Sequence, residues 1–183
     1  MIPFIFTIFL IAIGIFSRLM PHPANVTAIG AIALLAGYYF RDRRLAFGVP
    51  MAAMLVSDLA IGGYEFGVMV SVYASFALVA LLGTWIKRHP NFATGFIGVV
   101  GASTLFFLIT NFAVWAAGHG YPPTATGLLT SYIAAIPFWR NMLVGDLIWT
   151  PLLFGLAVYG NRMVRSGVIG KLSCHHPIAT KSF

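Results

Sequence analysis

The chain has 183 residues, of which 60% are hydrophobic and only 8% are charged, and its formal net charge is +7. A soluble domain of this size carries roughly a quarter of its residues as charged side chains, so the composition excludes an ordinary soluble fold. The basic residues stand in short clusters between apolar runs, which is typical of membrane-protein loops and argues against a nucleic-acid partner. We therefore predict an all-α integral membrane protein.

Six apolar runs are long enough to form transmembrane helices. They cover residues 2–19, 24–40, 45–63, 66–86, 93–118 and 140–160. The runs are separated by prolines, glycines or basic clusters, such as Pro21-His22-Pro23 after the first and Gly62-Gly63 after the third. These boundaries predict one six-helix transmembrane domain over residues 1–161, followed by a basic cytoplasmic tail over residues 162–183.

The segment 124–139 lies between the fifth and sixth runs. Its helical part is about a dozen residues long before Pro137, which is too short to cross a hydrocarbon core of ~30 Å. We interpret it as a short re-entrant or interfacial helix before the last span. A seventh span is the alternative.

The distribution of lysine and arginine predicts the orientation. One side holds Arg41, Arg43, Arg44, Lys87, Arg88, Arg162, Arg165, Lys171 and Lys181, and the other holds only Arg18 and Arg140. Because basic loops remain in the cytoplasm, both termini are predicted to be cytoplasmic.

Polar residues within the runs are few, and they fall at one depth. Asp58, Asn111 and Asp146 are each five to seven residues from the outer end of their run, which places them very roughly 8–10 Å below the outer surface. Further polar and aromatic residues lie at or above this depth: Arg18, His22, Asn25, Glu65, Trp115, Tyr121, Arg140 and Asn141. The pattern predicts a polar chamber that opens outward.

These residues also have structural interpretations. Asp58 and Asp146 need partners in a membrane, and structural ion pairs with Arg18 and Arg140 are as plausible as ligand binding. Asn111 could tie two helices together by a hydrogen bond. For Trp139 we favour an interface anchor.

Catalytic and metal-binding patterns are missing from the sequence. There is no HExxH motif, no GxSxG motif and no glycine-rich phosphate loop. The single cysteine, Cys174, excludes a multi-cysteine metal site. We predict a protein that is not an enzyme and has no cofactor and no metal.

Several strings resemble an uncharacterised bacterial membrane family of transport proteins, domain of unknown function 6580. The matching strings are Ser17-Arg18-Leu19-Met20-Pro21-His22-Pro23-Ala24-Asn25, Ser57-Asp58-Leu59, Phe106-Phe107-Leu108-Ile109-Thr110-Asn111-Phe112 and Gly145-Asp146-Leu147. The resemblance runs from Ser17 to about Gly160 and implies a membrane protein without a settled substrate.

More loosely, the chain is similar to the S components of energy-coupling-factor (ECF) vitamin transporters. That resemblance implies a small helical bundle that captures a vitamin from the outer side and acts with a coupling membrane protein and two ATPases. The first run lacks the Ala-x-x-x-Ala docking motif of those proteins, for which Ala33 and Gly37 could substitute. We favour internal packing for this small-residue pair.

Together these features predict an importer in the bacterial cytoplasmic (inner) membrane that binds a small vitamin-like or cofactor-precursor molecule. Its predicted substrate-binding residues are Arg18, His22, Asn25, Asp58, Asn111, Trp115, Tyr121, Arg140 and Asp146. The alternative is a non-catalytic accessory subunit of a larger membrane complex, in which the same polar groups would be paired and packed.

Overall fold

The computed structural model describes residues 2–165, and these residues form six α-helices and no strand. The helices are α1 (Ile2–Leu19), α2 (Ile29–Tyr39), α3 (Arg43–Ile61), α4 (Phe66–Arg88), α5 (Phe92–Ala116) and α6 (Ala125–Arg165). By length and composition, α3 to α6 are each long and apolar enough to cross a membrane, whereas α1 and α2 are shorter apolar helices. The helical membrane fold expected from the sequence is therefore present.

Helix α2 is the centre of the bundle. It contacts all five other helices, and every residue from Ile29 to Gly37 is buried. With 11 residues it is about 16 Å long, roughly half of a hydrocarbon core. The second run predicted from the sequence, residues 24–40, therefore begins before the helix does, because α2 starts only at Ile29. Pro21 and Pro23 lack backbone N–H groups, and residues 20–28 form turns instead of a helical ladder.

Small residues let α2 lie directly against α4. A Cβ on Gly37 would overlap the backbone carbonyl of Ala80, and a Cβ on Gly83 would overlap the carbonyl of Leu34. Such close approach of two backbones is possible only where side chains are absent. Ala33 and Gly37 are both buried within the bundle, as the internal packing favoured for this pair predicts.

Helix α6 differs from the prediction. The chain is helical without interruption over 41 residues, through both Pro137 and Pro151, so a separate short helix over 124–139 was the wrong expectation. A proline removes one hydrogen bond from the helical ladder and its ring crowds the carbonyl four residues earlier, and packing against a neighbouring helix compensates for these costs. The first part of α6 has such a neighbour, because the Tyr132 hydroxyl donates to the Leu108 carbonyl of α5 at 2.9 Å.

The predicted tail begins as part of this helix. Helix α6 extends to Arg165, four residues into the range 162–183 that the sequence assigned to the tail. The remaining predicted tail, 166–183, with Cys174 and two of the tail lysines, lies outside the described residues.

Three connecting segments meet at one end of the bundle. They are residues 20–28, 62–65 and 117–124. The Asn141 side-chain amide donates to the Ala24 carbonyl at 3.1 Å, and His119 Nε2 lies 4.0 Å from Glu65 Oε2. The loops after α3 and α5 thus contact each other, and His22 and Asn25 of the first segment line one cavity, described next, together with Tyr64 of the second.

Candidate functional site

A cavity of about 280 Å³ lies beneath these connections. Its polar lining comes from α1 and the two loops that follow α1 and α3: Arg18, His22, Asn25, Thr27 and Tyr64. Its apolar wall includes Phe76 of α4 and Phe106 of α5, whose ring centroids are 5.0 Å apart. An apolar body with a few convergent polar groups is the usual lining of a small-molecule site.

A second, smaller chamber of about 100 Å³ adjoins the first. The two spaces share Asn25, Phe106 and Met142 in their walls, and the smaller one adds Asn111 of α5 and Trp139 of α6. We call them the large chamber and the small chamber. Because three residues line both spaces, the two chambers are neighbours in the bundle.

Arg18 lines the large chamber and is held there by Asp58. Its Nη2 donates to the Asp58 carboxylate, and its Nη1 contacts the Met54 sulfur. The second carboxylate oxygen of Asp58 accepts a hydrogen bond of 2.9 Å from the Tyr73 hydroxyl. A guanidinium has five N–H donors, so Arg18 retains donors for a ligand, while each carboxylate oxygen of Asp58 already accepts one hydrogen bond. Asp58 is not among the residues that line either chamber.

Asp146 is buried at the start of α2, away from both chambers. It is 1% exposed, and its Oδ2 accepts a hydrogen bond of 2.8 Å from the Ser103 hydroxyl. The backbone of Ala31 forms a further hydrogen bond, and a Cβ on Gly30 would overlap the carboxylate. The free N–H groups and the dipole at a helix N-terminus favour a carboxylate. The partner of Asp146 is therefore this helix end and Ser103, not Arg140.

The turn after α1 carries His22 and Asn25 into the large chamber. Asn25 has a positive φ of 65°, which asparagine tolerates better than other residues with side chains. The Val26 N–H donates to the Pro23 carbonyl at 3.0 Å, and the Ala28 N–H donates to the Ser17 hydroxyl at 3.1 Å. These bonds fix the turn, and with it the two side chains, relative to α1.

Two residues that line the small chamber, Asn111 and Trp139, carry polar atoms without a partner in the described part of the chain. The Asn111 Nδ2 donates to the Phe107 carbonyl at 2.8 Å, which leaves its Oδ1 as an acceptor without a partner among the described residues. The Trp139 Nε1 is buried and also has no partner in the described part of the chain. An indole N–H that is buried normally finds an acceptor, so this one requires an explanation.

A family model described as a family of unknown function, DUF6580, matches residues 2–166. The chain belongs to this family. The family resemblance seen in the sequence is thereby confirmed. No curated protein and no solved structure is significantly similar to the chain.

Three residues of this DUF6580 chain that the sequence proposed for the site line neither chamber: Trp115, Tyr121 and Arg140. The Trp115 Nε1 donates to the Pro122 carbonyl at 2.9 Å, so the indole ties the loop after α5 to its own helix. Arg140 is exposed and has no ion pair within residues 2–165. The structure thus gathers Arg18, His22, Asn25 and Asn111 around the two chambers and leaves the others outside.

Sequence reasoning did not include the aromatic residues of the chamber walls among the site residues. Phe106 lines both chambers, and Trp139 lines the small one. Phe106 stands in the Phe-Phe-x-Ile-Thr-Asn string but resembles any apolar span residue. Trp139 was interpreted as an interface anchor, and its place in the wall of the small chamber beside Asn111 is evident only in the folded bundle.

The rim of the large chamber has perturbed titratable groups. Burial raises the pKa of Tyr64, and the nearby Asp58 carboxylate raises it further. Hydrogen bonds from the Gly67 and Val68 N–H groups lower the pKa of Glu65, the N-cap of α4. Around the rim and elsewhere in residues 2–165, no three histidine, cysteine, aspartate or glutamate side chains lie close enough to hold a metal ion.

Proposed function

We propose that the protein is a substrate-binding importer of the bacterial cytoplasmic membrane that captures a small vitamin-like or cofactor-precursor molecule from the outer side. The observation that carries the proposal is the pair of adjoining chambers, of about 280 and 100 Å³, at the end of the bundle where the loops after α1 and α3 supply lining residues. In the proposed topology the chain crosses the membrane six times, the second time through the non-helical segment 20–28 together with the short helix α2, and both termini are cytoplasmic, which puts this end outside.

The short length of α2 favours an importer over a rigid scaffold protein as the function of this chain. Its start at Ile29 leaves the non-helical segment 20–28 beside the large chamber, and His22, Asn25 and Thr27 of that segment line the cavity. Non-helical backbone inside a membrane bundle is tolerated where it is enclosed by protein or lines a cavity, and interrupted helices are common at transporter binding sites.

In this proposal the ligand lies against the wall that Phe76 and Phe106 form together, and its polar groups meet Arg18, His22 and Asn25. Arg18 is already paired with Asp58, so the site has no net positive charge from that pair and accepts a neutral or weakly anionic ligand. The energy for import would come from a coupling membrane protein with ATPases or from the substrate gradient.

The proposal is tested by native mass spectrometry of the gently solubilised chain in a broad vitamin screen. We expect a bound small molecule whose occupancy falls in His22→Ala and in Asn25→Gly, since glycine retains the positive φ while removing the amide. His89→Ala, at the exposed C-terminus of α4, is the matched control. Uptake of the identified molecule by cells that express the protein then tests transport itself. No binding to the wild-type chain would overturn the proposal.

A second function is favoured by a separate observation. Both membrane carboxylates, Asp58 and Asp146, are engaged by protein partners in the manner expected of an accessory subunit in a larger complex. In that case the chain would purify empty and in fixed stoichiometry with other subunits, and the chamber variants would leave that stoichiometry unchanged.

A further inference from the structure

An apolar groove of about 380 Å³ lies between α5 and α6, in the half of the bundle away from the two chambers. Its floor is formed by side chains that are at most 5% exposed: Leu34 of α2, Ile86 of α4 and Val99 of α5. Its rim is formed by exposed residues of the two flanking helices: Phe92, Phe96, Leu147 and Pro151. The groove is therefore open to the surroundings of the bundle along its rim.

Helices α5 and α6 are joined near the chambers and not along this groove. The Ser103 hydroxyl donates to Asp146 at 2.8 Å, and the Tyr132 hydroxyl donates to the Leu108 carbonyl at 2.9 Å. Within the described chain, no hydrogen bond or ring contact joins residues 92–99 of α5 to residues 147–154 of α6. The two helices thus leave a slot between apolar side chains that the protein itself does not fill.

A positive charge lies beyond one end of the groove. Phe154 lines both the groove and a neighbouring cleft of about 350 Å³, which is also lined by Tyr159 and Arg162. Arg162 is eight residues after Phe154, or ~12 Å along α6. It is exposed and has no ion pair within residues 2–165, and no acidic residue of this range lines the groove or the cleft. The apolar slot therefore continues into a cleft that carries an unpaired cation.

This combination fits a phospholipid better than a protein segment. A helix is ~10 Å wide and rises ~1.5 Å per residue, so it fills roughly 120 Å³ per residue, and the groove has room for about three residues of one. A flexible acyl chain is narrower, and each methylene that it buries adds to binding. A guanidinium binds phosphate oxygens through its N–H groups, and basic pockets between membrane helices bind anionic lipid headgroups.

We infer that the groove and the cleft together form a binding site for an anionic phospholipid of the bilayer. One acyl chain lies in the groove between α5 and α6, and the negatively charged headgroup lies beside Arg162. The inference is independent of the importer proposed above, because none of the residues involved lines either chamber.

The headgroup contact is tested by native mass spectrometry of the full-length protein after delipidation in detergent. The probes are palmitoyl-oleoyl phosphatidylglycerol and the phosphatidylcholine with the same acyl chains. We expect wild type to prefer the anionic lipid, and Arg162→Gln to lower its affinity for that lipid about fivefold, the effect of one basic residue near an anionic headgroup. Arg43→Gln removes the same charge from the start of α3 and should bind as the wild type does. An undiminished affinity in Arg162→Gln would overturn the site.

The acyl-chain contact is tested by filling the groove. Gly95 lines it, and no heavy atom lies within 4 Å of a Cβ built on this residue. We expect Gly95→Leu to weaken binding of both lipids about tenfold, the effect of roughly two methylenes displaced from the groove. Gly48→Leu in α3 is the matched control, since its Cβ also meets open space and it lines neither the groove nor the cleft.

Both glycine variants should melt no lower than wild type, because leucine is the better helix former and its Cβ displaces no neighbour. Lipid affinities that are equal in Gly95→Leu and wild type would overturn the site. A wild-type dimer that dissociates in Gly95→Leu would show that a second copy of the chain occupies the groove, and this too would overturn the lipid site.

Discussion

Arg18 of α1 donates a hydrogen bond to the carboxylate of Asp58 of α3, and the two residues are 40 positions apart in the chain. Both side chains are largely buried, with relative exposures of 15% and 8%. The pair joins the wall of the large chamber to the bundle interior, and Tyr73 of α4 donates to the same carboxylate. Three helices therefore meet at one ionic contact beside the cavity.

Breaking this pair on one side should destabilise the fold strongly. We expect Asp58→Leu to lower the free energy of unfolding by about 3–5 kcal/mol, because it leaves the buried Arg18 guanidinium uncompensated. The double variant Arg18→Met with Asp58→Leu should recover much of that loss, since no charge remains buried. Thermal unfolding in matched detergent measures both. Equal losses in the single and double variants would contradict a structural ion pair.

The contact between α2 and α4 should not tolerate a methyl group. Gly37→Ala places its Cβ on the Ala80 carbonyl, so the two backbones must separate, and we expect a loss of about 1–3 kcal/mol in the free energy of unfolding. Gly48→Ala in α3 is the control, because nothing lies within 4 Å of its Cβ and helix propensity alone should stabilise by about 0.5–1 kcal/mol. If both variants change stability in the same direction, the close contact is wrong.

Removal of the Ser103 hydroxyl should destabilise the fold, because the buried Asp146 carboxylate then loses a hydrogen-bond donor. Ser103→Ala takes away the 2.8 Å hydrogen bond to a carboxylate that is 1% exposed, and we expect a loss of about 1–3 kcal/mol. In the Asp146→Leu variant, Ser103→Ala should lower the free energy of unfolding much less, because the carboxylate that accepts the Ser103 hydrogen bond is already absent. A double-mutant cycle with coupling near zero would exclude the interaction.

The N-cap of α4 should make stability depend on pH at the acid end. Hydrogen bonds from Gly67 and Val68 hold the pKa of Glu65 below its ordinary value of 4.5. Because the folded pKa is the lower one, the contribution of Glu65 is fully present above pH 4.5 and is lost as pH falls through the folded pKa. Melting temperatures measured from pH 6 to pH 3 should show a steeper acid decline for wild type than for Glu65→Ser.

Serine is the informative replacement at this position because it is also a good N-cap and does not titrate in this range. Glu65→Ala, which lacks any cap, should melt lower than Glu65→Ser across the whole pH range. Parallel acid profiles for wild type and Glu65→Ser would show that the cap bonds do not depend on the charge of Glu65.

Much of the architecture follows from local signals in the sequence. Hydropathy alone determines the helical membrane class, because an apolar run of about 20 residues has few other stable states. The breaks at Pro21 to Pro23 and at Gly62 and Gly63 are also local, since proline lacks an N–H and Gly62 adopts a φ of 103°. The grouping of Arg18, His22 and Asn25 follows because the three lie within eight residues of one another.

Only the tertiary structure decided which polar groups face a cavity. Asp58 and Asp146 resemble each other in the sequence, yet one is bonded to Arg18 and the other lies at the start of α2 beside Ser103. These partners are distant in the chain, so packing and not spacing selects them. The course of α6 also depends on tertiary packing, because the helix continues through Pro137 where α5 packs along it. The burial of the Trp139 N–H without a partner is likewise a property of the folded bundle.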